Sequence, residues 1–200
     1  MLRVGITGGM GSGKSTVSRI FELLDVPVYY ADDMAKMLMN EDPVLREKII
    51  GIFGNLAFDQ NGLNRTYISS AAFSDPDLLT RLNAVVHPAV IRHGEDWMKK
   101  QVAPYTLKEA ALIFESGSYQ QLDLVIGVYA SKETRIKRIM QRDGADLESI
   151  EARMNKQMDE DEKMRRCNYV IINDEKQGII PQVLDLHTVL LQKASQPQQQ

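Results

Sequence analysis

The sequence predicts an α/β fold in which five parallel strands form one sheet with helices on both faces. Short apolar stretches of strand length alternate along the chain with stretches whose apolar residues recur at helical spacing. Strands that alternate with helices are joined by right-handed crossovers, which make the strands parallel and cover both faces of the sheet. The sequence contains no internal repeat, so a repeat architecture is not expected.

Length and composition indicate a single globular domain over residues 1–200. Hydrophobic residues make up 44% of the chain and charged residues 26%, which is ordinary for a folded domain. The net charge of -3 argues against a protein that coats nucleic acid, because binding many phosphates needs a basic surface.

The single cysteine, Cys167, excludes an intramolecular disulfide. We therefore expect a reducing, cytoplasmic location. No apolar run is long enough to span a bilayer and the N-terminus lacks the pattern of a secretory signal, so we expect no membrane association.

Each predicted element follows from a local pattern. The first strand, Leu2–Thr7, is an apolar run, and the first helix, Lys14–Leu24, places its apolar residues on one face. Ser131 is placed to cap a later helix. The other strands predicted from apolar runs are Val26–Tyr30, Leu107–Phe114, Leu122–Tyr129 and Tyr169–Ile172. The other helices predicted from periodicity are Asp32–Asn40, Ser131–Arg142 and Ile179–Lys193.

Two blocks interrupt this alternation. Residues 41–101 are mainly helical in pattern and are broken by turn signals at 54–55, 60–62 and 74–76, so we expect an insertion carried by the core. Residues 144–166 are highly charged, and their acidic run Asp159–Glu162 is typical of the solvated start of a helix.

The glycine-rich loop after the first strand carries the strongest functional signal. Its sequence GGMGSGKS, Gly8–Ser15, fits the pattern G-x-x-x-x-G-K-[ST]. Glycines let backbone N–H groups surround a phosphate, and the following helix directs its free N–H groups and positive dipole end at the same anion. Lys14 can reach the β- and γ-phosphates, and the Ser15 hydroxyl can bind Mg²⁺. Thr16 would lie near the α-phosphate.

A carboxylate, Asp32, follows the second predicted strand. Ligands of open α/β sheets bind at the carboxyl ends of the strands. A carboxylate there could take the proton of an attacking hydroxyl during phosphoryl transfer, or simply cap the next helix. The short chain and the absence of an Asn-Lys-x-Asp sequence favour a small-molecule kinase over a guanine-nucleotide switch.

Several segments, in order along nearly the whole chain, resemble dephospho-CoA kinases. They are residues 5–16, Ala31-Asp32 with Ala35, LNAVVHP at 82–88, FESG at 114–117, Arg138 with Arg142-Asp143, and YVIIN at 169–173. The resemblance implies a P-loop kinase fold with three α/β/α layers, a helical acceptor (CoA) subdomain at about 41–103 and a short lid at about 143–166. It also implies transfer of the ATP γ-phosphate to the 3′-hydroxyl of dephospho-CoA.

The resemblance further implies roles for individual residues. Lys14, Asp32 and Arg142 would be catalytic, and Ser15 would bind Mg²⁺. The residues expected to bind ATP are Gly11, Ser12, Gly13, Lys14, Ser15, Thr16, Arg142 and Arg153. The residues expected to bind the acceptor are Thr7, Asp32, Arg65, His87 and Glu115. Two positions depart from the family pattern, which usually has Asp-Ala-Asp at 30–32 and Ala-Asp at 167–168, where this chain has Tyr30 and Cys167-Asn168.

Several of these residues have simpler interpretations. Arg138 and Arg142 share one helix face, which suits phosphate binding but also a solvated basic surface. Arg65 could pair with Asp59, and His87 could be a partly buried structural residue. Glu115, expected at the end of the third strand, could hold the acceptor or water bound to Mg²⁺, or cap the next segment.

Two other functions remain open from the residues alone. The first is another small-molecule kinase, such as a nucleoside or nucleoside-monophosphate kinase, because the loop and lid would look the same. The second is a nucleotide-binding switch that signals to a partner. The sequence leaves both a monomer and a small homo-oligomer possible.

Overall fold

The computed structural model describes residues 1–196. In chain order the elements are β1 (Leu2–Thr7), α1 (Lys14–Glu22), β2 (Val28–Tyr30), α2 (Ala31–Glu41), α3 (Pro43–Phe53), β3 (Phe58–Asp59), β4 (Gly62–Leu63), α4 (Arg65–Ser74), α5 (Pro76–Lys99), β5 (Tyr105–Glu109), β6 (Leu124–Tyr129), α6 (Lys132–Asp143), α7 (Leu147–Met154), α8 (Glu160–Arg166), β7 (Tyr169–Ile172) and α9 (Ile179–Ser195). Short 3₁₀ turns lie at 55–57 and 118–121. The chain divides into two compact units, one formed by residues 1–30 with the chain from residue 100 onward, the other by residues 31–99.

The first unit contains the predicted five-stranded sheet. Its strand order is β2-β5-β1-β6-β7, and every neighbouring pair is parallel. β1 is therefore the central strand, flanked by β5 and β6. Because all five strands run in one direction, the loops that follow them meet at a single edge of the sheet.

Helices cover both faces of this sheet, as the alternating pattern predicts. On one face, Val4 and Ile6 of β1 pack in a core with residues of α1 and α9. On the other face, α8 lies against β6 so closely that a Cβ on Gly127 would meet the sulfur atoms of Met164 and Cys167. The three-layer α/β/α arrangement is thereby confirmed.

The third predicted strand ends earlier than its apolar pattern indicates. The prediction was Leu107–Phe114, whereas β5 spans Tyr105–Glu109 and the chain turns between 111 and 117. The apolar residues Ile113 and Phe114 are nevertheless buried, at 0% and 8% exposure. Ile113 packs against the flat surface that Gly5 leaves on β1. Burial without strand pairing gives the same sequence pattern as a strand, which explains the error.

One of the two helix caps predicted from the sequence is confirmed. The Ser131 hydroxyl accepts a hydrogen bond from the N–H of Thr134 at 3.3 Å, which confirms the predicted N-cap of α6. Asn168, one of the two departures from the family pattern, accepts the N–H of Val125 at 2.8 Å and so fixes the start of β6. α2 begins at Ala31, so Asp32 lies within the first helical turn and does not cap it.

The second unit is helical except for one small hairpin. β3 and β4 pair antiparallel, where the sequence indicated only a turn. The Oδ1 of Asn40 accepts the N–H of Leu63 at 2.8 Å and fixes this hairpin to the end of α2. α5 continues through Pro88, although a proline removes one helical hydrogen bond. α5 also packs against α2, α3 and α4.

None of the helices within residues 1–196 is both long enough and apolar enough to cross a membrane.

Candidate active site

The glycine-rich loop lies between the central strand β1 and helix α1. Its residue Gly13 precedes the helix with φ of 93°, a conformation that favours glycine. No side chain caps the first turn of α1, so the N–H groups of that turn are directed at the loop without a side-chain acceptor. Gly8 is required for a different reason, because a Cβ there would overlap the backbone oxygen of Val128. The loop thus presents the uncapped amides and helix dipole that an anion needs.

Lys14 is folded back across the loop. Its side chain is buried, and Nζ donates to the backbone oxygen of Gly8 at 3.0 Å and to that of Gly9 at 3.5 Å. The ammonium group therefore lies beside the loop backbone, where it adds positive charge to the amides. Ser15 and Thr16 are exposed in the first turn of α1.

The donor chemistry at Ser15 fits Mg²⁺. An exposed hydroxyl oxygen at the start of α1 is the type of single protein ligand that Mg²⁺ takes beside phosphate oxygens and water. Within residues 1–196 no cluster of three or more His, Cys, Asp or Glu side chains could hold a metal ion by itself. Ser15 could therefore hold a cation only together with the phosphates.

Side chains from the segment after α7 bind the first half of the loop. The N–H of Gly9 donates to Oε1 of Glu160 at 3.1 Å, and the N–H of Met10 donates to Oε1 of Gln157 at 3.0 Å. Glu160 is in turn 3.4 Å from Nη1 of Arg135. These two loop amides are thereby satisfied by side chains, and the N–H of Ser12 donates within the loop to the backbone oxygen of Gly9 at 3.1 Å.

A second set of contacts holds the middle of the loop. The backbone oxygen of Ser12 accepts hydrogen bonds from Nδ2 of Asn173 at 2.8 Å and from Nη1 of Arg138 at 3.5 Å. Arg138 also donates to the backbone oxygen of Asn173 at 3.0 Å. A Cβ on Gly13 would overlap the Asn173 amide, so this contact also requires glycine at position 13. The loop therefore fits closely against the residues that follow β7.

Arg142 and Arg153 meet at a common carboxylate. Arg142 forms two hydrogen bonds to Asp143, at 2.7 and 3.0 Å, and Arg153 lies 3.8 Å from the same carboxylate. The hydrogen bond from Arg142 is the main reason that the pKa of Asp143 lies below its ordinary value. The Arg142 side chain is 66% exposed. Asp143 thus links the two predicted ATP-binding arginines, which lie in the last turns of α6 and α7.

Thr7 and Glu115 have structural partners. The hydroxyl of Thr7, at the buried end of β1, donates to the backbone oxygen of Ala111 at 3.2 Å. Glu115 does not end a strand as predicted. It lies in the turn after β5, where it accepts the N–H of Met158 at 2.9 Å and pairs with Lys163 at 3.0 Å.

The other predicted acceptor residues belong to the second unit. Asp32 is exposed in the first turn of α2, and Arg65 is exposed as the first residue of α4. His87 is half-buried on α5, and burial lowers its pKa, so its imidazole is neutral near pH 7. Asp59 accepts the N–H of Asn61 at 2.7 Å in the β3–β4 turn.

Sequence reasoning missed several residues that surround the loop. Glu160 was expected in a solvated helix start, yet its side chain is only 10% exposed and binds the loop. The neighbouring Asp159 does what the pattern indicates, because it caps α8 by accepting the N–H of Glu162 at 3.0 Å. A run of four acids gives no sign of which member points inward. The other missed residues are Arg135, Gln157, Lys163 and Asn173.

The sheet order, the phosphate loop between its central strand and the first helix, and the lysine folded over that loop define a P-loop kinase. The fold agrees with solved kinases of other specificity. Shikimate kinase from Acinetobacter baumannii matches over 98% of this chain and 96% of its own length, with a TM-score of 0.56 at 15% identity. That degree of identity supports the fold alone.

Within the P-loop kinases, the comparisons with known proteins identify a particular family. A family model described as dephospho-CoA kinase matches residues 2–178. A dephospho-CoA kinase from Bacteroides fragilis is 37% identical over 96% of this chain and 94% of its own length, and one from Porphyromonas gingivalis is 34% identical over 98% of both. A dephospho-CoA kinase structure from Campylobacter jejuni matches 96% of this chain and 98% of its own, at 27% identity and a TM-score of 0.68. The chain belongs to the dephospho-CoA kinase family.

Proposed function

We propose that this chain transfers the γ-phosphate of ATP to the 3′-hydroxyl of dephospho-CoA, giving CoA and ADP in the last step of CoA synthesis. The observation that carries the proposal is the loop Gly8–Ser15, with its uncapped amides and the inward-folded Lys14. Family membership over residues 2–178 supports the acceptor. The single cysteine and the lack of a membrane-spanning helix in the described residues are compatible with the predicted cytoplasmic location.

ATP binding in this proposal uses the second half of the loop. The segment from Gly11 to Thr16 binds ATP, with Thr16 near the α-phosphate, and Lys14 neutralises the charge of the β- and γ-phosphates. The Ser15 hydroxyl would hold Mg²⁺, which when bound neutralises charge on the β- and γ-phosphate oxygens. Arg142 and Arg153 stabilise the charge of the transferring group once their shared partner Asp143 exchanges for phosphate. The lid, residues 143–166, keeps water out and so limits hydrolysis of ATP.

The acceptor side of the proposal rests on Asp32. This residue follows the last residue of β2 by two positions, and its carboxylate is exposed. We assign it as the base that accepts the proton of the 3′-hydroxyl and orients the oxygen toward phosphorus. Arg65, His87, Thr7 and Glu115 are the further acceptor-binding residues of the proposal, and the residues from 41 to 103 form its acceptor subdomain.

A coupled assay of ADP release tests the proposal. Dephospho-CoA is compared at equal concentration with a panel of nucleosides and nucleoside monophosphates, with ATP and Mg²⁺ present. We expect ADP release that depends on dephospho-CoA, and a phosphorylated product that chromatographs with CoA. Omission of Mg²⁺ with added chelator is expected to abolish the reaction. Faster release with a nucleoside, or release independent of any acceptor, would contradict the proposed acceptor.

A further inference from the structure

The carboxylate of Glu160 lies in direct contact with the phosphate loop. Glu160 accepts the N–H of Gly9 through Oε1 at 3.1 Å, and its Oε2 lies 3.4 Å from Nη1 of Arg135. The two side chains are 10% and 9% exposed. The loop, α6 and the start of α8 are thereby joined through one ion pair.

Gly9 fits closely against this pair. Its φ does not require glycine, but a Cβ at position 9 would overlap Nη1 of Arg135 and lie 2.5 Å from Oε2 of Glu160. Gln157 binds the neighbouring N–H of Met10 at 3.0 Å with a neutral amide oxygen. The N–H groups of Gly9 and Met10 therefore donate to one charged side chain and one neutral side chain.

The charged acceptor creates an electrostatic difficulty. A buried carboxylate beside a site for a polyanion repels that anion, and the repulsion is poorly screened away from water. Arg135 is the cation paired with Glu160, and within the described residues its own Nε has no hydrogen-bond partner. The exposed Glu133 on the same helix also interacts with this guanidinium electrostatically, but the ion pair of Arg135 is with Glu160.

We propose that Arg135 is a positioning residue that masks the charge of Glu160, so that the carboxylate can hold the Gly9 amide without repelling the phosphates of the nucleotide. Arg135 acts on nucleotide affinity through Glu160 and not by contact with ATP. This inference rests on the nucleotide-binding part of the proposed function and is independent of the acceptor.

The dissociation constant of ATP, measured by calorimetry without acceptor, tests the proposal in the full-length protein. R135Q leaves the carboxylate unmasked and is expected to weaken ATP binding about ten-fold. E160Q keeps an amide oxygen for the Gly9 N–H and carries no charge, so we expect less than about a three-fold loss. The double variant R135Q/E160Q is expected to bind ATP as E160Q does, so that the second substitution restores most of the affinity lost with the first.

Matched control variants distinguish the effect of the Arg135–Glu160 pair on ATP affinity from the effect of changing any nearby charge. Lys137→Gln and Asp161→Asn remove the same charges from exposed neighbours on α6 and α8 and are expected to leave the affinity unchanged. Thermal unfolding of each variant checks folding. Arg135→Lys keeps the charge, so it should bind ATP within about three-fold of the parent even if Arg135→Gln folds poorly.

Three results would overturn the proposal: an unchanged affinity in R135Q, a double variant whose loss equals the product of the single losses, or an equal loss in R135K and R135Q. The last two would mean that packing or hydrogen bonding acts in place of charge. Because no acceptor is present, failure of dephospho-CoA as a substrate would contradict the proposed function without altering these affinities.

Discussion

Lys163 of α8 and Glu115 of the turn after β5 form an ion pair, with Nζ 3.0 Å from Oε1. The lysine side chain is fully buried, whereas that of Glu115 is 22% exposed. Lys163 also donates to the backbone oxygen of Ala111 at 3.0 Å, the same oxygen that accepts the hydroxyl of Thr7. One buried ammonium group therefore ties α8, the turn at 111–117 and the end of β1 together.

The two partners of this pair are expected to differ in their effect on stability. Glu115→Leu leaves a charged lysine buried without its carboxylate, which we expect to lower the free energy of unfolding by about 3 kcal/mol. Lys163→Met removes the buried charge itself, and Glu115 can still reach water, so we expect a loss of about 1–2 kcal/mol. Urea unfolding followed by circular dichroism measures both.

The control for this comparison is Glu162→Gln, which breaks the exposed pair with Arg166 on the same helix. An exposed pair of this kind contributes about 0.5 kcal/mol or less. Equal losses in the two buried-pair variants would contradict the expected difference, and would mean that Lys163 becomes neutral when Glu115 is removed.

Glu115 also makes stability depend on acid. Burial alone would raise its pKa, but hydrogen bonds from the N–H groups of Met158 and of Glu115 itself, together with Lys163, outweigh burial and hold the pKa below 4.5. A carboxylate whose pKa is lower in the folded state stabilises that state above its unfolded pKa, and the stabilisation is lost as the pH falls through the folded value. The stability difference between the parent and Glu115→Gln should therefore be constant near neutrality and shrink below pH 4.5. A difference that grows in acid would contradict this assignment.

The sheet and the phosphate loop could be predicted because their signals are local. Leu2–Thr7 and Tyr169–Ile172 were predicted with the bounds that the structure gives them, since each is an isolated apolar run next to a turn. The loop Gly8–Ser15 is recognisable because the same eight residues form its geometry and its chemistry. The predicted end of the third strand was wrong, because Ala110, Ile113 and Phe114 are buried by packing without pairing to a strand.

The surroundings of the loop could not be predicted for a physical reason. Glu160, Gln157 and Asn173 reach the loop from positions about 150 residues away in the chain, and nothing in their local sequence marks them as buried. Charged and amide side chains are ordinarily exposed, and the acidic run that contains Glu160 was predicted to be solvated. Such pairs become visible only when the fold brings the segments together.

Asn173 gives a prediction that follows from the direction of one hydrogen bond. Its Nδ2 donates to the backbone oxygen of Ser12 at 2.8 Å. Asn173→Asp keeps the size of the side chain but turns a carboxylate oxygen toward that carbonyl, so the loop should shift and ATP should bind at least about five-fold more weakly. Calorimetry with ATP measures the loss.

Asn168→Asp is the matched control for that substitution. Its amide oxygen accepts the N–H of Val125 at 2.8 Å, and an aspartate can do the same. We expect little change in ATP affinity. A similar loss in both variants would point to a general effect of added negative charge and against the contact with Ser12.

The assignment of Asp32 as the base gives the sharpest prediction about the reaction. Replacing it by asparagine keeps the size of the side chain but removes the group that would accept the proton, so turnover should fall about 10²–10⁴-fold. The affinity for ATP should change little, because the nucleotide is bound by the loop. Asp33→Asn is the control: Asp33 is the adjacent acid, 65% exposed and paired with Lys36 at 2.7 Å.

Steady-state turnover with dephospho-CoA and ATP binding by calorimetry are measured for both variants. Near-normal turnover in Asp32→Asn, or an equal loss in Asp33→Asn, would remove Asp32 from the mechanism and leave the proton of the acceptor hydroxyl to another group.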